Sequence, residues 1–165
     1  MKKNIEIAQD ILQEGRITAT KHANGRDWWI ITKRRNSGRF YNILLDADNV
    51  QVKDIQEFEN ISAYSGIGQS IFAPDGSKYV SSTIRGNVGS DCYIDIYDFD
   101  RCTGTLFNPI QITYADSAWS GGCAISPNSR FLYVSSYRYI YQYDLWAENI
   151  EATKDTVAIY DGFII

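Results

Sequence analysis

From Tyr93 to Asp100 the chain alternates between two sets of positions. Tyr93, Asp95, Tyr97 and Phe99 form one set, and Ile94, Ile96, Asp98 and Asp100 the other. A period of two sends successive side chains to opposite faces, so this is a strand. Similar β-rich runs occur at "WWIIT" (28–32), "KYVSSTI" (78–84) and "FLYVSSY" (131–137). Each follows a turn signal: Asn24-Gly25, Asp75-Gly76 and Asn128-Ser129. Short polar pairs of this kind between apolar runs predict hairpins. One segment departs from the pattern. In "IEIAQDILQEG", Ile5, Ala8, Ile11 and Leu12 recur at helical spacing with Gly15 beyond them. This predicts a short helix or, alternatively, the outer strand of a preceding unit.

The pattern repeats. Pro74 and Pro127 lie 53 positions apart, and each precedes its turn and strand. Trp29 aligns with Tyr79, 50 positions on. The next element recurs as "RFYNILLDADN", "CYIDIYDFDRCTG" and "YIYQYDLWAEN", an aromatic-rich strand ending in an acidic turn, with Asp46, Asp98 and Asp144 in like positions. Four strands per unit are expected: 17–23, 27–33, 40–46 and 50–58; 69–73, 78–85, 92–99 and 106–114; 122–126, 130–137, 139–145 and 156–160. A repeat of about 50 residues with four antiparallel strands matches a β-propeller blade. The predicted fold is therefore all-β, with an N-terminal segment over 1–15 and three consecutive blades over 16–60, 61–115 and 116–165.

Composition narrows the function classes. The 165 residues carry 44% hydrophobic side chains, including 12 Tyr, 7 Phe and 4 Trp, which excludes a disordered chain. The net charge of -4 with interspersed signs argues against a nucleic-acid-binding surface. The one short basic run, Lys33 to Arg35, reads as a solvated loop. No apolar stretch is long enough to span a membrane. Glu6, Gln9 and Asp10 interrupt what would be the apolar core of a signal peptide, so the chain is expected to be cytoplasmic or a piece of a longer secreted protein. Cys92, Cys102 and Cys123 form no CxxC pair. Cys123 reads as a small core hydrophobe, whereas Cys92 and Cys102 flank a strand and leave a disulfide open.

The stretch "SPNSRFLYVSS" resembles the blade signature of YVTN-type and lactonase-like propellers. Together with "HANGRDWW", "YDFDRCTG" and "GGCAISPNSRFLYVSS" it is similar to propeller regions of large secreted or surface proteins of gliding-type bacteria, which often carry a type IX secretion sorting domain. The resemblance runs from about Gly15 to Ile165. It implies a propeller scaffold and a parent protein that is secreted or at the cell surface. The role it implies is a non-catalytic interaction or scaffold module; the alternative is part of a lactonase-like hydrolase. Propellers usually close with roughly four to eight blades, so three should leave apolar blade faces open to self-association.

Candidate chemistry is sparse. His22, the sole histidine, adjoins a turn that Asn24, Gly25 and Asp27 already explain, so a structural role outweighs general-base or metal chemistry. Trp28 and Trp29 must face opposite sides of a strand. One is expected in the core and the other at a blade rim, where an aromatic platform for sugar is the minority reading. Asp98 and Asp100 in "DFDRCTG" lack the glycine and distal glutamate of an EF-hand loop and read as a turn. "SGIGQS" lacks the lysine and helix of a phosphate loop. No cofactor or metal is expected. Ligands of propellers usually meet the loops between second and third strands and between blades. Those loops here offer Arg35, Tyr64, Arg85, Trp119 and Arg138, a set suited to a protein or carbohydrate partner.

Overall fold

A computed structural model describes residues 6–61, 66–84, 91–115, 122–136 and 138–162. Among these, twelve strands form three four-stranded antiparallel sheets, each ordered as it runs in sequence. Sheet 1 holds β1 (Leu12–Lys21), β2 (Trp28–Arg34), β3 (Arg39–Leu45) and β4 (Val50–Glu57). Sheet 2 holds β5 (Ile67–Phe72), β6 (Lys78–Ile84), β7 (Cys92–Asp100) and β8 (Thr105–Tyr114). Sheet 3 holds β9 (Cys123–Ile125), β10 (Phe131–Ser135), β11 (Tyr139–Asp144) and β12 (Asp155–Ile159), with one 3-10 turn at Glu151–Thr153. The leading strands β1, β5 and β9 lie side by side. This is the arrangement of three successive propeller blades, as the repeat predicts.

The repeat is legible at atomic level in the first hairpin of each sheet. Gly25 N–H donates to His22 C=O at 3.0 Å, Gly76 to Ala73 at 2.8 Å and Ser129 to Ser126 at 2.8 Å. These are β-turns closed between first and fourth residues, with proline second in sheets 2 and 3. The fourth residue has positive φ in all three, at 74°, 74° and 61°. Glycine suits that conformation twice. Ser129 replaces it once because it is buried and its Oγ accepts the Asp75 N–H at 3.1 Å, tying adjacent turns together. The residue before each also serves alike: Asn24, Asp75 and Asn128 accept the N–H two residues on.

The acidic turns require a correction. Asp46 and Asp144 accept the N–H of Asp48 and Trp146, but in sheet 2 that role falls to Asp100, which accepts from Cys102, and not to Asp98. Asp98 sits earlier on β7 and pairs with Lys78 at 2.6 Å. A two-residue difference preserves strand parity, so the hydrophobic pattern could not reveal it. The N-terminal helix is also absent from the described residues. Residues 6–10 carry no regular structure and β1 begins at Leu12. β-pairing with Arg34 and the positive φ of Gly15 overrule the apolar spacing. Cys92, Cys102 and Cys123 form no disulfide among the described residues, so that alternative is not realised.

Two hydrophobic clusters fill the spaces between sheets. Trp29, Ile31, Phe40, Tyr79, Tyr97, Phe99 and Leu106 pack sheet 1 against sheet 2. Val80, Ile94, Ile96, Ile112, Leu132, Val134, Tyr141 and Tyr143 pack sheet 2 against sheet 3. β7 serves both, sending alternate side chains to each. No helix among the described residues is long and apolar enough to cross a membrane.

Candidate functional site

The meander topology fixes two ends of the stack. Turns joining first to second strands, and third to fourth, share one end; turns joining second to third strands and the links between sheets share the other. Arg35 and Arg138 both lie at the second end, on sheets 1 and 3, with sheet 2 between them. Arg35 donates its N–H to Ile11 C=O at 2.8 Å, and its guanidinium lies 3.5 Å from the exposed Glu14 carboxylate. A pair so exposed contributes little. Arg138 is exposed and its carbonyl accepts the Tyr160 N–H at 2.7 Å. It rims a groove of about 240 Å³ with Tyr139, Ile140, Ile159 and Tyr160. The other three expected ligand residues, Tyr64, Arg85 and Trp119, lie outside the described residues.

The remaining candidates resolve into structure. His22 Nδ1 accepts the Asn24 N–H at 3.0 Å, and its ring stacks on Trp29 with centroids 5.5 Å apart. Trp29 is buried between sheets and its Nε1–H donates to Arg101 C=O at 2.9 Å, whereas Trp28 is 39% exposed. Asp100 accepts from Cys102 N–H and Thr103 Oγ–H, and Asp98 from Lys78 and Asn108. "SGIGQS" contributes to strand β5. Among the described residues, no three His, Cys, Asp or Glu side chains gather as a metal site.

The strongest electrostatic feature overturns one sequence expectation: Lys33, read there as part of a solvated basic loop, lies on β2 with its side chain turned into the interior. Arg16, Lys33 and Asp95 are all buried between sheets 1 and 2. Lys33 Nζ lies 3.6 Å from Asp95 Oδ2, and Gln111 Nε2 donates to Asp95 Oδ1 at 2.7 Å. Arg16 Nη1 donates to Ser81 Oγ. Burial pushes the Asp95 carboxyl up, with Lys33, Gln111 and Arg16 opposing it. The same burial pushes Lys33 and Arg16 down. Tyr79 beside them is pushed up to about 12, chiefly by burial. The sequence signal was available: Asp95 shares its strand face with Tyr93, Tyr97 and Phe99, and a carboxylate on an aromatic face needs a buried cation. The row Ser70, Ser81, Asp95 and Gln111 crosses sheet 2 in direct register and presents this polar band to Arg16 and Lys33.

No family model and no curated protein matches the sequence. Solved structures do. The chain is similar to a candidate 6-phosphogluconolactonase from Bacteroides fragilis NCTC 9343, with a TM-score of 0.57, 14% identity, and 87% of this chain covering 39% of that one. A second candidate 6-phosphogluconolactonase, from Bacteroides uniformis ATCC 8492, aligns with a TM-score of 0.56 and 17% identity over 87% of this chain and 40% of its own. A protein of unknown function from Desulfotomaculum acetoxidans DSM 771 gives a TM-score of 0.56 at 13% identity, over 97% of this chain and 50% of its own. At such identities the likeness is one of fold. The chain spans half the length of these proteins or less.

Proposed function

We propose that the chain is a non-catalytic interaction or scaffold section of a larger propeller, from a protein that is secreted or on the cell surface. The observation that supports this reading is the contrast between inner and outer faces. Ile17 and Ile55, on the face of sheet 1 turned from sheet 2, are 66% and 53% exposed. Ile140, on the outward face of sheet 3, is 40% exposed. Apolar groups of this size on a sheet face call for a partner surface, whether further blades or a second copy. The loop end, with Arg35 and Arg138 and the expected Tyr64, Arg85 and Trp119, is the surface for a protein or carbohydrate ligand. Light scattering across a concentration series tests the reading: association that grows with concentration is expected. A monodisperse, thermally stable monomer at high concentration would remove its basis.

A lactonase-like hydrolase is the second reading, favoured by the names of two structural neighbours. Turnover of 6-phosphogluconolactone that disappears in Arg35→Ala or Arg138→Ala would reverse the preference.

A further inference from the structure

β1 does not pair evenly with β2. Leu12 lies opposite Arg34 and Ile17 opposite Thr32, so Gln13 to Arg16 face a single residue of the partner strand. This is a β-bulge, a device that re-aims side chains. Gly15 carries it with φ of +70°, and a Cβ there would stand 2.7 Å from Gly68 O on β5. The bulge turns Arg16 inward until it is 1% exposed. Gly68 in turn leaves space for the guanidinium: a Cβ at that position would lie 2.5 Å from Nη2.

The hydrogen bonding of Arg16 is lopsided. Nη1 is engaged by Ser81, but Nε and Nη2 have no acceptor among the described residues. These two nitrogens form one edge of the guanidinium, the edge that binds two oxygens of a carboxylate or phosphate side by side. Charge points the same way. Arg16 and Lys33 share one carboxylate, Asp95, which is already occupied by Lys33 and Gln111. The buried cluster is one negative charge short. Unmatched buried charge is among the costliest features a fold can hold; a neutral acceptor would satisfy the two donors, but only an anion would also supply the missing negative charge.

We infer that the bulged start of β1 presents Arg16 as a bidentate binding group for an oxyanion, a carboxylate or a phosphate, at the junction of the leading strands of sheets 1 and 2. The inference is independent of the interaction reading, because it concerns the interior between sheets and not the exposed faces.

Titrating the intact chain with sodium phosphate and, separately, sodium acetate at constant ionic strength tests it by thermal shift and calorimetry. The wild type is expected to show a saturable rise in melting temperature with at least one anion, and which anion acts identifies the oxyanion class. Arg16→Lys keeps the charge but loses the fork, and should weaken binding about tenfold or more. Arg16→Met should lose the response while melting no lower than the wild type without anion, since it removes a charge that lacks a partner. If Arg16→Met does not fold, Arg16→Lys decides alone. A wild type indifferent to both anions, or Arg16→Lys responding like the wild type, would overturn the inference.

Discussion

The two seams of this stack are made by the same repeated unit and hold together by different chemistry. Between sheets 1 and 2, rings meet edge to face, with Phe40 5.8 Å from Tyr79 and 5.2 Å from Tyr97, and buried charges run through the layer. Between sheets 2 and 3 the packing is mostly aliphatic, with Ile94, Ile96, Leu132 and Val134 at its centre. Among the described residues, the buried charges Arg16, Asp27, Lys33 and Asp95 all belong to sheets 1 and 2. β7 makes the division, because its period of two gives aromatic residues and Asp95 to one seam and Ile94 and Ile96 to the other. An aliphatic seam tolerates sliding at modest cost, whereas a buried charge must meet its partner or remain unpaired. The first seam therefore specifies which sheets stack and in what register, and the second supplies burial.

Removing the shared carboxyl group should break this contrast most severely. Asp95→Ala strips Lys33 and Gln111 of the acceptor they share, whether it is ionised or protonated, and loss of one member of a buried polar cluster costs roughly 3–5 kcal/mol. Urea unfolding measures it. Replacing the whole cluster, as Arg16→Met, Lys33→Met and Asp95→Leu together, should recover most of that loss. A single-variant cost under about 1 kcal/mol would mean that the charges are solvated and that the seams do not differ in kind.

The second seam should answer to volume alone. Leu132 is fully buried, and Leu132→Ala should cost roughly 3 kcal/mol through lost burial and a residual cavity. The loss should be the same from mildly acidic to neutral pH, because the surrounding cluster is aliphatic residues, tyrosines and two cysteines, with no carboxylate or histidine among them. A cost that changes with pH would show that charge reaches this seam too.

Much of the stack was legible in advance, and the reasons are local. Strand positions follow from alternation and turn chemistry, which act over a few residues, so predicted and observed strands differ mainly at their ends. Asp98 and Asp144 do hold the same register position, opposite Lys78 and Phe131, but the turn in sheet 2 is capped by Asp100, and only hydrogen bonding separates two acids on one strand face. The helix expected near Ile5 to Leu12 failed because pairing with β2, contributed from more than twenty residues away, outweighs local spacing. The Arg16, Lys33 and Asp95 cluster needed knowledge of which sheet faces which, since its members are dispersed along the chain. Arg35 and Arg138 fall at one end of the stack because both sit between second and third strands of a meander, a placement that follows from strand order alone.

The smallest expected effect compares two carboxylates shifted in opposite directions from the ordinary 3.8. Asp144, on sheet 3, is held below it chiefly by hydrogen bonds from Arg130, the closest at 2.7 Å. Its folded form binds fewer protons than the unfolded chain, so its contribution is present above 3.8 and is lost as pH falls through the folded value. Asp95 is raised by burial, so the folded form binds more protons than the unfolded chain. Its contribution is fullest below 3.8 and declines as pH rises through the folded value. The difference in urea midpoint between wild type and Asp144→Asn should therefore shrink on acidification. The difference for Asp95→Asn should instead grow on acidification, because the asparagine cannot titrate. Parallel pH profiles for the two variants would show that Asp95 is ionised and fully compensated in the folded seam, and the polar seam would then be no more pH-sensitive than the surface pair on sheet 3.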